Sequence, residues 1–387
     1  MKVIFYFFLS FLLIVVVITF DLTFWDTEER LRSIGKAVEF LLIDEPPKLS
    51  FLHLLRTFII FLSSLIFVLG ILKINSKDST SSSYINSDGF TGLKEFYGTK
   101  YAFQKRKIIL WFIVILSFYF VFIFITHPDL FSQLTLEDGP IENLSAIFYF
   151  FSFGIFIYIL LNVKIIPKNH QFIFFFLSLG FAGAFFLIGM EEISWFQRVF
   201  DIKTPKLLKA NDQEELNLHN LLTTPIENAY YFSAFLFFVL IPFLNERTTV
   251  FTKADYLRMF IPNRFLLFTG VIIMAYNYDM WNNFIMQWCF FVTLLILLYY
   301  LWSAYKLNED YFLIFTILII YMFSQFIFIL KGSNFSRIWE VTEFKEFYIA
   351  LAYLLFAIEV LGRVHNFKLN AKLSVKPPQQ NKKVKLY

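Results

Sequence analysis

Cysteine is almost absent: Cys289 is the single one in 387 residues. One thiol closes no disulfide within the chain and builds no cysteine metal site. Charge is scarce as well, with Asp, Glu, Lys and Arg at 17% against roughly a quarter in soluble domains. Apolar and polar residues do not alternate at period two, which argues against a membrane β-barrel. No internal repeat is visible, and many secondary transporters are built from such repeats.

What fills the chain is hydrocarbon, 58% of all residues being apolar. They gather in runs near 20 residues, each long enough to cross a hydrocarbon core of about 30 Å. In lipid the backbone must satisfy its own hydrogen bonds, so such runs are helices. The expectation is an all-α, polytopic helical membrane protein with one transmembrane domain over 1–362. Ten spans are read, at roughly 3–20, 51–72, 108–127, 143–163, 171–190, 226–244, 262–278, 284–302, 311–330 and 344–362. The first lacks a small-x-small cleavage site before Asp21 and is read as an anchor rather than a removed signal peptide. The seventh is the weakest, because its clean apolar core, Phe265 to Tyr276, is short for a crossing.

Lys and Arg set the orientation. Loop 73–107 carries seven of them, the tail after Leu361 seven and loop 245–264 four, while loops 128–142 and 279–283 carry none. Ten spans put all three basic segments on the cytoplasmic side, so both termini are expected inside. The stretch "KDSTSSSYINSDG" reads 73–107 as a flexible cytoplasmic loop. "KPPQQNKKVKLY" reads 363–387 as a basic, disordered cytoplasmic tail near anionic lipid. Between the first two spans, "EERLRSIGKAVEFLLI" has the pattern of a helix lying on the outer surface.

The unusual polar groups fall on the other side. "LTLEDGPIENLSAIF" brings Glu137, Asp138 and Glu142 to the mouth of span four. "GMEEISWFQR" brings Glu191, Glu192, Ser194, Trp195, Gln197 and Arg198 to the end of span five. "NDQEELNLHN" brings Asn211, Gln213, Glu215, Asn217, His219 and Asn220 before span six. "YNYDMWNN" adds Asn277 and Asp279, and "RIWEVTEFKE" adds Arg337, Glu340, Glu343 and Glu346. Acids and amides from five segments thus share one depth. If span five stays helical past Glu191, then Glu191, Ser194, Trp195 and Arg198 form an i, i+3, i+4, i+7 stripe. Glu192 points about 100° away, so the two glutamates serve different partners.

Segment 199–225 is too polar to span, and Thr204 before Pro205 is a helix-start signal. An ordered outer segment between spans five and six is therefore expected. Glu215 and His219, spaced i, i+4, meet if it is helical. Such a pair can bind a metal, set a general-base histidine or simply hydrogen-bond. The scatter of the histidines argues against three-histidine zinc. A carboxylate-rich Mg or Mn site holding Glu215 and His219 stays open as the cofactor reading. Ser194 with His219 and Glu215 has the residue types of a nucleophilic triad, but no nucleophile-elbow glycines flank it. Charges and Trp at a span end are also ordinary interface anchors.

"EDGPIENLSA", "EEISWFQR" and "NDQEELNLHN" resemble motifs of a family of uncharacterised bacterial multi-pass membrane proteins. Its pattern is E-D-G-x-x-E, then E-E-I-S-W-x-Q-R, then N-x-Q-x-E-x-N-x-H-N. The resemblance covers roughly 130–225 and, weakly, the last span. Members usually carry glycine where Phe196 stands. It implies a bacterial inner-membrane protein and brings no activity with it.

Three functional classes follow. The first is an enzyme of the outer membrane face acting on a lipid or lipid-linked substrate. In it Glu191, Glu192, Glu215 and His219 do the chemistry. Arg198, Gln197, Trp195, Asn217, Asn220, Glu137, Asp138 and Glu142 bind substrate, with Arg198 on a phosphate or carboxylate. The second is a non-catalytic component that binds a partner at that face. The third, a transporter, needs polar groups at mid-membrane, and the spans hold few. Membrane lipid is the expected surrounding partner, and nucleic acid is not a partner.

Overall fold

The computed structural model describes residues 2–24, 47–74, 100–136, 139–166, 168–197, 200, 223–248, 257–278, 283–307, 310–337 and 339–374. Helices are α1 Lys2–Phe24, α2 Pro47–Lys73, α3 Lys100–Thr126, α4 Pro128–Leu134, α5 Pro140–Leu161 and α6 Lys168–Glu192. They continue as α7 Thr223–Phe235, a π-helical turn Leu236–Leu240, α8 Ile241–Arg247, α9 Arg264–Ile273, α10 Phe284–Leu307, α11 Tyr311–Leu330 and α12 Glu340–Ser374. No strand occurs among the described residues. Nine helical segments there are long and apolar enough to cross a membrane, with α7, the π turn and α8 counting as one. The chain is a multi-pass helical membrane protein.

Two segments read as loop or tail are partly helical. α3 starts at Lys100, inside the stretch expected to be a flexible loop, and α12 runs on to Ser374, into the stretch expected to be disordered. Apolar spans continue into their basic flanks because Lys and Arg are good helix formers whose heads reach water from the membrane edge.

The seventh span departs most from expectation. α9 has ten residues, about 15 Å of helix, half of the hydrocarbon core. The segment nonetheless runs alongside α7 and α8 from one end to the other. Arg264 pairs with Glu246 at 2.8 Å, beside the end of α8, while Asn283 donates to Asn228 at 2.7 Å, beside the start of α7. The first half of the crossing is helix, and the chain beyond Ile273 is irregular. Irregular backbone at membrane depth is tolerated only where protein surrounds it. Met274, Ala275, Tyr276 and Asn277 are accordingly 0% exposed, and α9 packs on α3, α11, α12 and the π turn.

That contact needs Gly270. A Cβ there would lie 2.7 Å from Phe238 Cβ and 3.1 Å from its carbonyl carbon. The π turn bulges towards α9 at this point, and only a residue without a side chain lets the two backbones approach.

Polar ties gather at the two edges of the bundle. At the basic edge, Arg106 grips Glu359 through two hydrogen bonds of 2.7 and 2.8 Å. Asn263 also donates to Glu359, and buried Arg363 donates to the carbonyls of Met259 and Ile261. At the opposite edge, Arg56 binds Asp21 and Gln287, joining α1, α2 and α10. There Arg337 donates to Ser132 O and Thr135 O, fixing the start of α12 to α4.

Candidate functional site

At the edge carrying Arg337, carboxylates from four helices converge. Glu142 stands in the first turn of α5, Glu192 ends α6, Glu227 lies on α7, and Glu343 and Glu346 open α12. Glu192 interacts electrostatically with Glu346, Glu343 and Glu142. Glu343 does so with Glu346, Glu142, Glu227 and Arg337. All five acids are half-buried.

The local sequence explains their positions. Pro140 opens α5 with its φ already helical and no N–H to lose. Gly139 precedes it because a Cβ there would sit 2.3 Å from Leu136 O. Gly139 and Pro140 therefore form the start that delivers Glu142 to the bundle end. On α12, Arg337 N donates back to Glu340 Oε1 at 3.0 Å, which starts the helix and sets the faces on which Glu343 and Glu346 lie.

Tyrosines form the floor. Buried Tyr149 of α5 shares a hydrogen bond with Tyr230 of α7. Tyr231 donates to Glu346 Oε1 at 2.5 Å, and its ring carries the Lys345 ammonium 4.0 Å from the centroid. Lys345 is 0% exposed and donates to Asn277 Oδ1 in the irregular half of the seventh crossing. The acid cluster is thus tied to the broken helix through Tyr231 and Lys345.

The expected stripe on span five does not form. α6 stops at Glu192, and Ser194, Trp195 and Phe196 follow with φ of 47°, 55° and 60°. Three consecutive left-handed residues turn the chain out of the helix. Trp195 still meets Glu191, with Nε1 donating to Oε1 at 2.7 Å. Glu191 and Glu192 do face different partners: the first meets Trp195, the second the other acids. Ser194 is 2% exposed within this turn.

Of the residues singled out in the sequence, the structure brings Glu142 and Glu192 together, places Glu191 with Trp195, and sets Gln197 just past the turn with its N–H on Ser194 O. Glu137, Asp138, Arg198, Asn211, Gln213, Glu215, Asn217, His219 and Asn220 lie outside the described residues. No group of three His, Cys, Asp or Glu among the described residues is arranged to hold a metal ion. The candidate pair Glu215 and His219 is not among them.

Sequence reasoning passed over Tyr149, Tyr230, Tyr231, Lys345 and Gln325. Tyrosines near span ends look like interface anchors. The one usable signal was Lys345 itself, a cation about one and a half turns into the last span.

No protein-family model matches this chain, and neither a curated protein nor a solved structure does.

Proposed function

We propose that the chain is an enzyme of the extracytoplasmic membrane face that acts on a lipid or lipid-linked substrate through its carboxylate cluster. The supporting observation is the meeting of Glu142, Glu192, Glu343 and Glu346 from three spans at one bundle end. Like charges repel strongly where the dielectric is low. Ionisable groups assembled at a membrane edge are functional by default. Half-buried carboxylates are suited to general acid and base work on a headgroup held at the same depth. The absence of Lys and Arg from 128–142 and 279–283 supports an outer position for this end.

A transporter is the second reading, and the broken seventh crossing favours it, since discontinuous helices build many transport sites. Lipid chemistry distinguishes the two. Membranes from cells producing the wild type or Glu192→Gln are compared by lipid mass spectrometry. The enzyme reading expects a lipid or lipid-linked species whose level changes with the wild type alone. Identical profiles refute it.

A further inference from the structure

The carboxylates of the cluster do not stand in equal fields. Glu142 is in the first turn of α5 and Glu343 in the first turn of α12. There a helix presents its positive end and favours a negative charge. Glu192 is the last residue of α6, at the negative end, where a carboxylate is disfavoured. It also faces Glu142 of α5, Glu343 and Glu346 of α12, and the hydroxyls of Tyr149 and Tyr230.

Glu346 has different surroundings. Its Oε1 accepts the Tyr231 hydroxyl at 2.5 Å, a bond that strengthens with charge on the oxygen. The ring bearing that hydroxyl lies 4.0 Å from the Lys345 ammonium. Lys345 is buried and next to Glu346 in the chain, so its charge acts through a medium that screens little. The other ionisable groups facing Glu346 are Glu192, Glu343, Tyr149 and Tyr230. Carboxylates sharing one low-dielectric site do not all ionise together, and the proton settles where charge is least supported. That place is Glu192.

We infer that Glu192 carries the proton of the cluster while Glu346 stays ionised, and that Tyr231 and Lys345 are positioning residues that hold Glu346 in that state. Chemical roles follow from this. In a transfer at a headgroup ester, Glu346 takes the proton of the attacking water or alcohol as its oxygen bonds to the reacting centre. Glu192 gives its proton to the leaving oxygen as the old bond breaks. The proton gained by Glu346 then passes to Glu192, which closes the cycle. These roles rest on the enzyme reading, whereas the placement of the proton does not.

The probe is dicyclohexylcarbodiimide, an apolar reagent that adds to a protonated carboxyl and rearranges to a stable N-acylurea. The full chain in mild detergent is labelled over a pH series, and the modified glutamates are located by peptide mass spectrometry. At neutral pH Glu192 should react about tenfold faster than Glu346, and Glu346 should catch up only in acid. Tyr231→Phe and Lys345→Met should each raise Glu346 labelling severalfold at neutral pH. Tyr231→Phe keeps the ring, so it tests the inference even if Lys345→Met fails to fold. Glu359, gripped by Arg106 at the opposite edge, should stay unlabelled at neutral pH in every sample and reports an intact fold. Glu346 labelled as fast as Glu192 in the wild type, or unchanged in Tyr231→Phe, overturns the inference. Labelling as expected without lipid turnover refutes the enzyme reading alone. Turnover with the reverse labelling refutes the proton placement alone.

Discussion

Tyr231 donates its hydroxyl to Glu346 while its ring face lies under the Lys345 ammonium. One side chain thus touches both the carboxylate cluster and the broken crossing. The ring face attracts the cation, and the cation in turn withdraws electron density from the hydroxyl. Tyr231→Phe keeps the ring and removes the donor. We expect it to lower any turnover by about tenfold and also to cost stability, since a hydrogen bond to a charged group contributes about 1.5–3 kcal/mol. Kinetics and unfolding of the same preparation check this.

The close approach at Gly270 gives a stability prediction. Gly270→Ala forces Phe238 backbone and α9 apart and should cost about 1–3 kcal/mol. Gly154→Ala, where nothing lies within 4 Å of the added Cβ, should be neutral or slightly stabilising. Denaturant unfolding in mild detergent compares the two.

The left-handed turn predicts the opposite sign. Phe196 sits at φ 60°, a conformation that costs an L-residue roughly 1–2 kcal/mol. Phe196→Gly should recover about 1 kcal/mol. A loss of stability would mean that the Phe196 ring, which packs edge-on to Phe200, is worth more than the strain.

At the basic edge, Arg106 and Glu359 are 13% and 10% exposed. Arg106→Met leaves Glu359 with a less complete set of partners and should cost about 3 kcal/mol. Arg106→Met combined with Glu359→Leu should recover part of the loss, a coupling that a double-mutant cycle reads directly.

How much of this was legible without coordinates varies with the residue. The nine long spans follow from hydropathy because lipid leaves the backbone no other choice. The weakness of the seventh was also visible, since Phe265 to Tyr276 is too short for a crossing. Its solution, a half-helix completed by irregular chain, depends on Gly270 against Phe238, and contacts between distant segments are not written in periodicity. The span-five stripe failed because Ser194 to Phe196 reverse handedness, a tertiary outcome at odds with the helical propensity of the flanking sequence. Glu142 and Glu192 were legible as membrane-edge acids. Their meeting with Glu343 and Glu346 was not, because it depends on α12 packing against α5.

Sidedness can be read from the single cysteine. Cys289 is fully buried, so the wild type should be nearly silent to a membrane-impermeant maleimide. Leu130→Cys, exposed on α4, should label in intact cells, and Leu307→Cys, exposed at the other edge, only after permeabilisation. The reverse pattern would put the carboxylates inside.

The central claim is turnover at the carboxylate cluster. The full chain is reconstituted in nanodiscs, incubated with a total membrane lipid extract, and the extract is analysed by mass spectrometry against protein-free discs. The account predicts a time-dependent change in one lipid or lipid-linked species with the wild type, reduced about 100-fold or more in Glu192→Gln and in Glu346→Gln with insertion and melting preserved. A change of equal rate in both variants would contradict it.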